Sequence, residues 1–293
     1  PKSVCCRKCA SLSRRFGGRK AGTVNVTEAT GPGVGDWLTD RLRAWGVEFL
    51  TDVQARALQA GVADGRSMIV GAPTSSGKTL VGEIAVLSIL KDGGRAIYLV
   101  SHKALAEQKH RDFLARFGEL SPQPIASVGL NTGDRAEGNI DARLMVATYE
   151  KALGLILTGQ LNPSSALIVA DEFQIVGDPG RGPEIESLCA ILRQRGIRQF
   201  VGLTATVENP ADLAGWMDCE LVSSSHRDVP LHQEIWYGGR VYRTTFGQSE
   251  GHEIKASVPA TGDVAEVVGQ LIRVGRGPVL VFTESRREAA GYA

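Results

Sequence analysis

Two short stretches carry residue types that can handle a nucleoside triphosphate. In the first, the apolar run Met68-Ile69-Val70 breaks into Gly71-Ala72-Pro73-Thr74-Ser75-Ser76-Gly77-Lys78-Thr79, and an apolar-periodic segment follows from Leu80. That order predicts strand, small polar loop, helix. Such a loop turns its backbone N–H groups onto phosphate oxygens, and the positive end of the helix dipole favours the same anion. Lys78 adds a point charge for the β- and γ-phosphates, and the Thr79 hydroxyl suits Mg²⁺. Ala72 stands where the first glycine of the motif is expected, which leaves A-x-x-x-x-G-K-T with a residue still small enough for a tight loop. The competing reading is an ordinary glycine-containing turn.

The second stretch is Ala166-Leu167-Ile168-Val169-Ala170-Asp171-Glu172-Phe173-Gln174. An apolar run ending in two carboxylates predicts a buried strand that delivers Asp171 and Glu172 to the edge of a sheet, beside the phosphate loop. There Asp171 would hold Mg²⁺ through its water shell, and Glu172 would orient and deprotonate an attacking water. An Asp-Glu pair alone is common at surface turns. With Lys78 it makes a catalytic set.

These residues need a scaffold, and the sequence predicts an α/β one. Apolar runs recur at 96–100, 125–130, 144–147, 166–170 and 200–203, with helical periodicity at 102–117, 149–158 and 183–195. Alternation of this kind predicts a parallel sheet covered by helices on both faces. Two short helices come earlier, one beginning at Asp36 and one capped by Thr51 or Asp52. The expected division is a basic, disordered tail over 1–35 with linker at 21–35, the nucleotide domain over 36–222, a β-hairpin linker over 223–262, and the incomplete start of a second α/β domain over 263–293. In the last of these Val279–Phe282 is the predicted first strand.

Bulk properties narrow the class. The net charge is +1, so a nucleic-acid surface must be a local patch. No apolar run reaches the ~20 residues of a membrane span, and no signal pattern opens the chain, which predicts a cytoplasmic protein. Cys5, Cys6 and Cys9 crowd into a tail whose first 20 residues hold seven Lys/Arg and no acid. Cys6-x-x-Cys9 has the spacing of half a zinc knuckle, without a nearby second pair. Cys189 and Cys219 fit buried thiols.

Beyond these two motifs, the chain resembles the superfamily 2 DExH-box helicases of the Ski-like branch. The resemblance rests on ordered blocks: Ala72–Thr79, Tyr98–Ala106, Thr132-Gly133-Asp134, Val146–Lys151, Asp171–Gln174, Arg181–Glu186, Gly202–Thr206 and Asp212–Trp216. The wording of Val146–Lys151 and Arg181–Glu186 is closest to the DNA-unwinding Hel-type members and the helicase part of polymerase theta; RNA-processing members share the branch. The resemblance implies a RecA-like P-loop domain, ATP and Mg²⁺ as ligands, and single-stranded or forked DNA as partner of a monomer. It implies that Gln54 reads adenine, and that Lys103, Thr132, Gly133 and Thr148 contact the strand. Gln174, Thr204 and Thr206 then couple ATP state to strand grip. Read without it, Thr148 would be a helix cap and Gln54 a solvated amide.

The chain departs from the family pattern in places. Gln174 replaces the usual His, Phe173 an aliphatic residue and Thr204 a Ser, while Ser101-His102 replace a Pro and an aliphatic residue. The arginines that the family's second domain points at the γ-phosphate are expected beyond residue 293. Three functions compete: a helicase or translocase, a nucleotide-gated clamp that does not unwind, and a small-molecule kinase. The last lacks any sequence support after Asp171-Glu172.

Overall fold

The computed structural model describes residues 23–118, 124–133, 135–138, 140–205, 209–225, 231–237, 240–245, 252–254, 264–283 and 285–292. The chain divides into two compact units, residues 1–227 and 228–293.

The first unit opens with β1 (Val24–Asn25), α1 (Asp36–Ala44), β2 (Phe49–Leu50) and α2 (Asp52–Gln59). The segment expected to be linker is instead partly folded. β1 pairs antiparallel with β2, and Val26 is fully buried. Gly31, at φ +151, lies so close to α2 that a Cβ there would sit 2.1 Å from the Leu58 carbonyl oxygen. Apolar contact outweighs the loop-like composition of this stretch.

Next come β3 (Met68–Gly71), α3 (Lys78–Lys91), β4 (Ala96–Val100), α4 (Lys103–Arg116), β5 (Val128–Asn131), β6 (Ala136–Glu137), β7 (Leu144–Thr148), α5 (Tyr149–Leu157), β8 (Leu167–Ala170), α6 (Gly182–Gln194), β9 (Gln199–Thr204), α7 (Pro210–Met217) and β10 (Glu220–Ser223). The strands form one eight-stranded sheet in the order β10-β3-β9-β8-β4-β7-β5-β6. Only the β5–β6 pairing is antiparallel.

Alternate residues of each central strand enter different cores. Met68, Val70, Tyr98, Val100, Leu167 and Val169 pack on one face with α1–α4. Ile69, Ile97, Leu99, Ile168 and Ala170 pack on the other with α5–α7. Burial on both faces is why these strands read as continuous apolar runs rather than alternating ones. β5 starts three residues later than its apolar run, because the N–H groups of Ile125 and Ala126 go to the Phe117 carbonyl rather than into the ladder.

The second unit holds β11 (His232–Tyr237), β12 (Arg240–Thr245) and β13 (His252–Ile254), then α8 (Val264–Arg273) and α9 (Arg286–Tyr292). The hairpin expected here is present as β11–β12, with Trp236 opposite Val241, and β13 adds a third antiparallel strand. Val279–Phe282 is not a strand. Among the described residues nothing pairs with it, and Phe282 is 87% exposed. An apolar run becomes a strand only when neighbours accept its backbone hydrogen bonds. No helix among the described residues is long and apolar enough to cross a membrane.

Candidate active site

The carboxyl ends of β3, β9, β8 and β4 lie side by side, where an open α/β sheet presents its ligand crevice. The loop Ala72–Gly77 leaves β3 there. Gly77 precedes α3 at φ +87, a left-handed conformation that glycine adopts freely. Its carbonyl accepts from Gln54 Nε2 at 2.9 Å, and the Ser76 carbonyl accepts from the Thr51 hydroxyl at 2.8 Å. Gln54 Oε1 accepts the Thr51 N–H, closing the start of α2. Gln54 is thus 5% exposed and committed to loop and cap. Lys78 Nζ reaches back across the loop to the carbonyls of Ala72 (2.5 Å) and Pro73 (2.8 Å). The hydroxyl of Ser76 is buried without a hydrogen-bond partner, as suits a loop built around an oxyanion.

Asp171 and Glu172 follow β8 and share a cavity of about 480 Å³ with Thr74, Ser75, Lys78 and Thr79. Two buried tyrosines fix Asp171: Tyr98 donates to Oδ2 at 2.9 Å and Tyr149 to the main-chain carbonyl at 2.8 Å. Burial, then the Asp171 charge, pushes both phenols well above the usual tyrosine range, so both stay donors. Lys109 Nζ lies 3.9 Å from the same Oδ2. Glu172 has φ +53, a conformation that costs a non-glycine residue about 1–2 kcal/mol. Its Oε2 accepts from the Ser101 hydroxyl at 2.9 Å. Hard oxygens of Thr79, Asp171 and Glu172 around a phosphate loop are a donor set that fits Mg²⁺, which commonly takes one or two carboxylates plus substrate phosphates.

Gln174 bridges two strand ends. Its Oε1 accepts the Ala205 N–H at 3.0 Å and the Thr204 hydroxyl at 3.3 Å. The amide therefore ties the end of β8 to the end of β9. Thr206 lies outside the described residues, as do Asp134 and Cys5, Cys6 and Cys9. Among the described residues no cluster of three or more His, Cys, Asp or Glu could hold a metal.

A second cavity, about 720 Å³, gathers Lys103, Thr132, Gly133 and Thr148 with Ser101, Lys151, Glu150 and Arg181. All four described strand-contact candidates thus meet in one groove. Thr148 precedes α5, and its hydroxyl makes no capping bond there. Arg181 is held there by Glu150 (2.7 Å) and the Ser101 carbonyl (2.6 Å).

Residues 51–213 match the model of the DEAD/DEAH box helicases. The chain belongs to this helicase family. It is 36% identical over 266 residues to the ATP-dependent DNA helicase Hel308 of Aeropyrum pernix, across 88% of this chain and 34% of that protein. Hel308 of Pyrobaculum calidifontis is 38% identical over 260 residues, covering 86% and 34%. Hel308 of Pyrococcus abyssi is 34% identical over 273 residues, covering 92% and 35%. The chain spans about a third of the length of these curated relatives. The crystal structure of the DUF1998 helicase MrfA bound to DNA aligns with a TM-score of 0.53 at 25% identity, over 71% of this chain and 31% of that one. The expected RecA-like fold and Hel-type likeness are both borne out.

Sequence reasoning missed several residues of this helicase site. Tyr98 and Tyr149 carry no motif signal of their own, although a buried phenol needs an acceptor and so points to a polar neighbour. Lys109 falls at helical spacing between Ala106 and Phe113, both fully buried, so the periodicity itself turns a cation inward.

Proposed function

We propose that this chain supplies the ATP-binding motor domain of a helicase that acts, as a monomer in the cytoplasm, on single-stranded or forked DNA. In this reading ATP hydrolysis drives strand separation. The observation that supports it most directly is Ser101, which lines the strand groove and donates its hydroxyl to Glu172. Strand grip and water activation therefore meet at one residue.

Lys78 would exchange the Ala72 and Pro73 carbonyls for phosphate oxygens, while the loop N–H groups and Ser76 surround them. Bound Mg²⁺, held by Thr79 and Asp171, would neutralise charge on the phosphates. Glu172 would take the proton of the attacking water. The second N–H on Gln54 Nε2 is the group left to meet adenine. Gln174 would report the state of β8 to the Thr204–Ala205 corner of β9.

Two measurements test the reading. Calorimetry on the chain should show Mg²⁺-dependent ATP binding that Lys78→Ala abolishes; unchanged binding by the variant would remove Lys78 from the site. ATP-dependent separation of a forked DNA duplex by the full-length gene product is the expected activity. Separation of RNA duplexes alone would move the substrate to RNA, and strand binding without separation would make the protein a clamp.

A further inference from the structure

Lys109 is 8% exposed, an unusual position for a lysine unless its charge is used. It projects from α4 into the wall of the nucleotide cavity. Its ammonium stands 3.9 Å from Asp171 Oδ2 and 5.5 Å from the centre of the Tyr98 ring, whose hydroxyl binds the same oxygen. The buried carboxylate of Glu83 is ion-paired to Arg116; burial pushes its pKa up, and the charges of Arg116 and then Lys109 oppose that rise. Charges thus alternate along a row that starts at the partly exposed Arg116 and runs inward through Glu83 and Lys109 to Asp171.

The row matters because Asp171 is the carboxylate proposed to hold Mg²⁺. A cation this close, shielded from water, acts on the same charge that must attract the metal. We propose that Lys109 is a positioning residue whose ammonium is the resident counter-charge of Asp171, so that it sets how much Mg²⁺ the nucleotide site requires. It keeps the carboxylate compensated and oriented without metal, and it opposes the metal's arrival. The proposal rests on the nucleotide-site reading and adds a residue to it. Arg116 alone could balance Glu83, so a purely structural role for Lys109 is the alternative.

The test is the Mg²⁺ concentration giving half-maximal binding of a fluorescent ATP analogue to the chain at fixed nucleotide. Lys109→Met keeps length and apolar packing but removes the charge, so its midpoint should fall about 5–10-fold, the direction Coulomb's law requires. Lys109→Arg, which keeps the charge, should stay within about twofold of the parent. Melting curves of all three proteins without nucleotide report folding separately. A lower melting temperature in Lys109→Met with an unchanged or raised Mg²⁺ midpoint would overturn the proposal and leave Lys109 structural. If Lys109→Met fails to fold, Lys109→Gln with the same Arg control carries the same expectation. Absence of Mg²⁺-dependent binding by the parent would overturn the site reading and this inference together.

Discussion

The Ser101 hydroxyl donates to Glu172 Oε2 at 2.9 Å, while the Ser101 main-chain carbonyl accepts from Arg181 at 2.6 Å inside the cavity lined by Lys103 and Thr148. The family's usual proline could make neither the side-chain bond nor an equivalent one. In this protein a movement of Arg181 or of the Ser101 backbone reaches Glu172, the proposed general base, through one residue. Ser101→Ala in the full-length protein should therefore reduce the ratio of DNA-stimulated to DNA-free ATP turnover about 3–10-fold, in keeping with a lost bond to a charged group. Nucleotide affinity should not change. An unaltered ratio would leave the bond without a coupling role.

Glu172→Gln separates binding from chemistry. The amide can still accept from Ser101, so the local hydrogen bond and the φ of +53 can persist. It cannot take a proton from water. ATP affinity should stay within about twofold, whereas turnover in the full-length protein should fall by about 10²-fold or more, the range for a general base. Parental turnover would mean another group activates the water.

Tyr98→Phe removes the donor to Asp171 Oδ2 and little volume from a fully buried site. A hydrogen bond to a charged acceptor contributes roughly 1.5–3 kcal/mol, and the low end applies because Asp171 borders an open cavity. Urea unfolding should shift to a lower midpoint with an unchanged slope. A change in slope instead would place the effect in the unfolded ensemble.

Much of the site was legible because each motif is local. Met68–Thr79 and Ala166–Gln174 each encode a strand, its end and the polar residues delivered there, so order along the chain fixes order in space. Tyr98, Tyr149 and Lys109 were not legible in this way. Their roles arise where α4, β4 and α5 converge on Asp171, and no single stretch contains that meeting. The same reason accounts for Gln54: its type suits an adenine edge, but its partners, Thr51 and Gly77, come from two different elements. Fold errors had the opposite cause. Residues 21–35 look like linker by composition, yet Val24–Asn25 pairs with Phe49–Leu50 and Val26 is buried; Val279–Phe282 looks like a strand yet has no ladder among the described residues.

Cys189 gives a pH-dependent expectation. Burial first, then the neighbouring Cys219 and Glu186, pushes its thiol from 9.0 up to about 12. The folded protein therefore holds this proton more tightly than the unfolded chain. Stability from it is complete below about pH 9 and is lost as pH rises toward 12. Site-resolved alkylation at pH 8 should find Cys189 slow to react in the native state and fast in urea. Rapid native labelling would contradict the buried, neutral thiol.

The strand groove offers the last expectation. Lys103, Lys151 and Arg181 line it, but Arg181 already pairs with Glu150. A cation held by a carboxylate releases fewer counterions from a nucleic acid, so releasing Arg181 from Glu150 should add about one phosphate contact. With roughly 0.7 counterions released per contact on a single strand, that contact should steepen the fall of log affinity with log salt by about 0.7. Glu150→Gln removes the competing charge and keeps the side-chain shape. Binding of single-stranded DNA to this variant should tighten several-fold at low salt, and its slope should be steeper than the parent's by about that amount. Fluorescence anisotropy across a salt series reads both quantities at once. Weaker binding by Glu150→Gln would show that the Glu150 pair holds Arg181 in place for the strand rather than away from it.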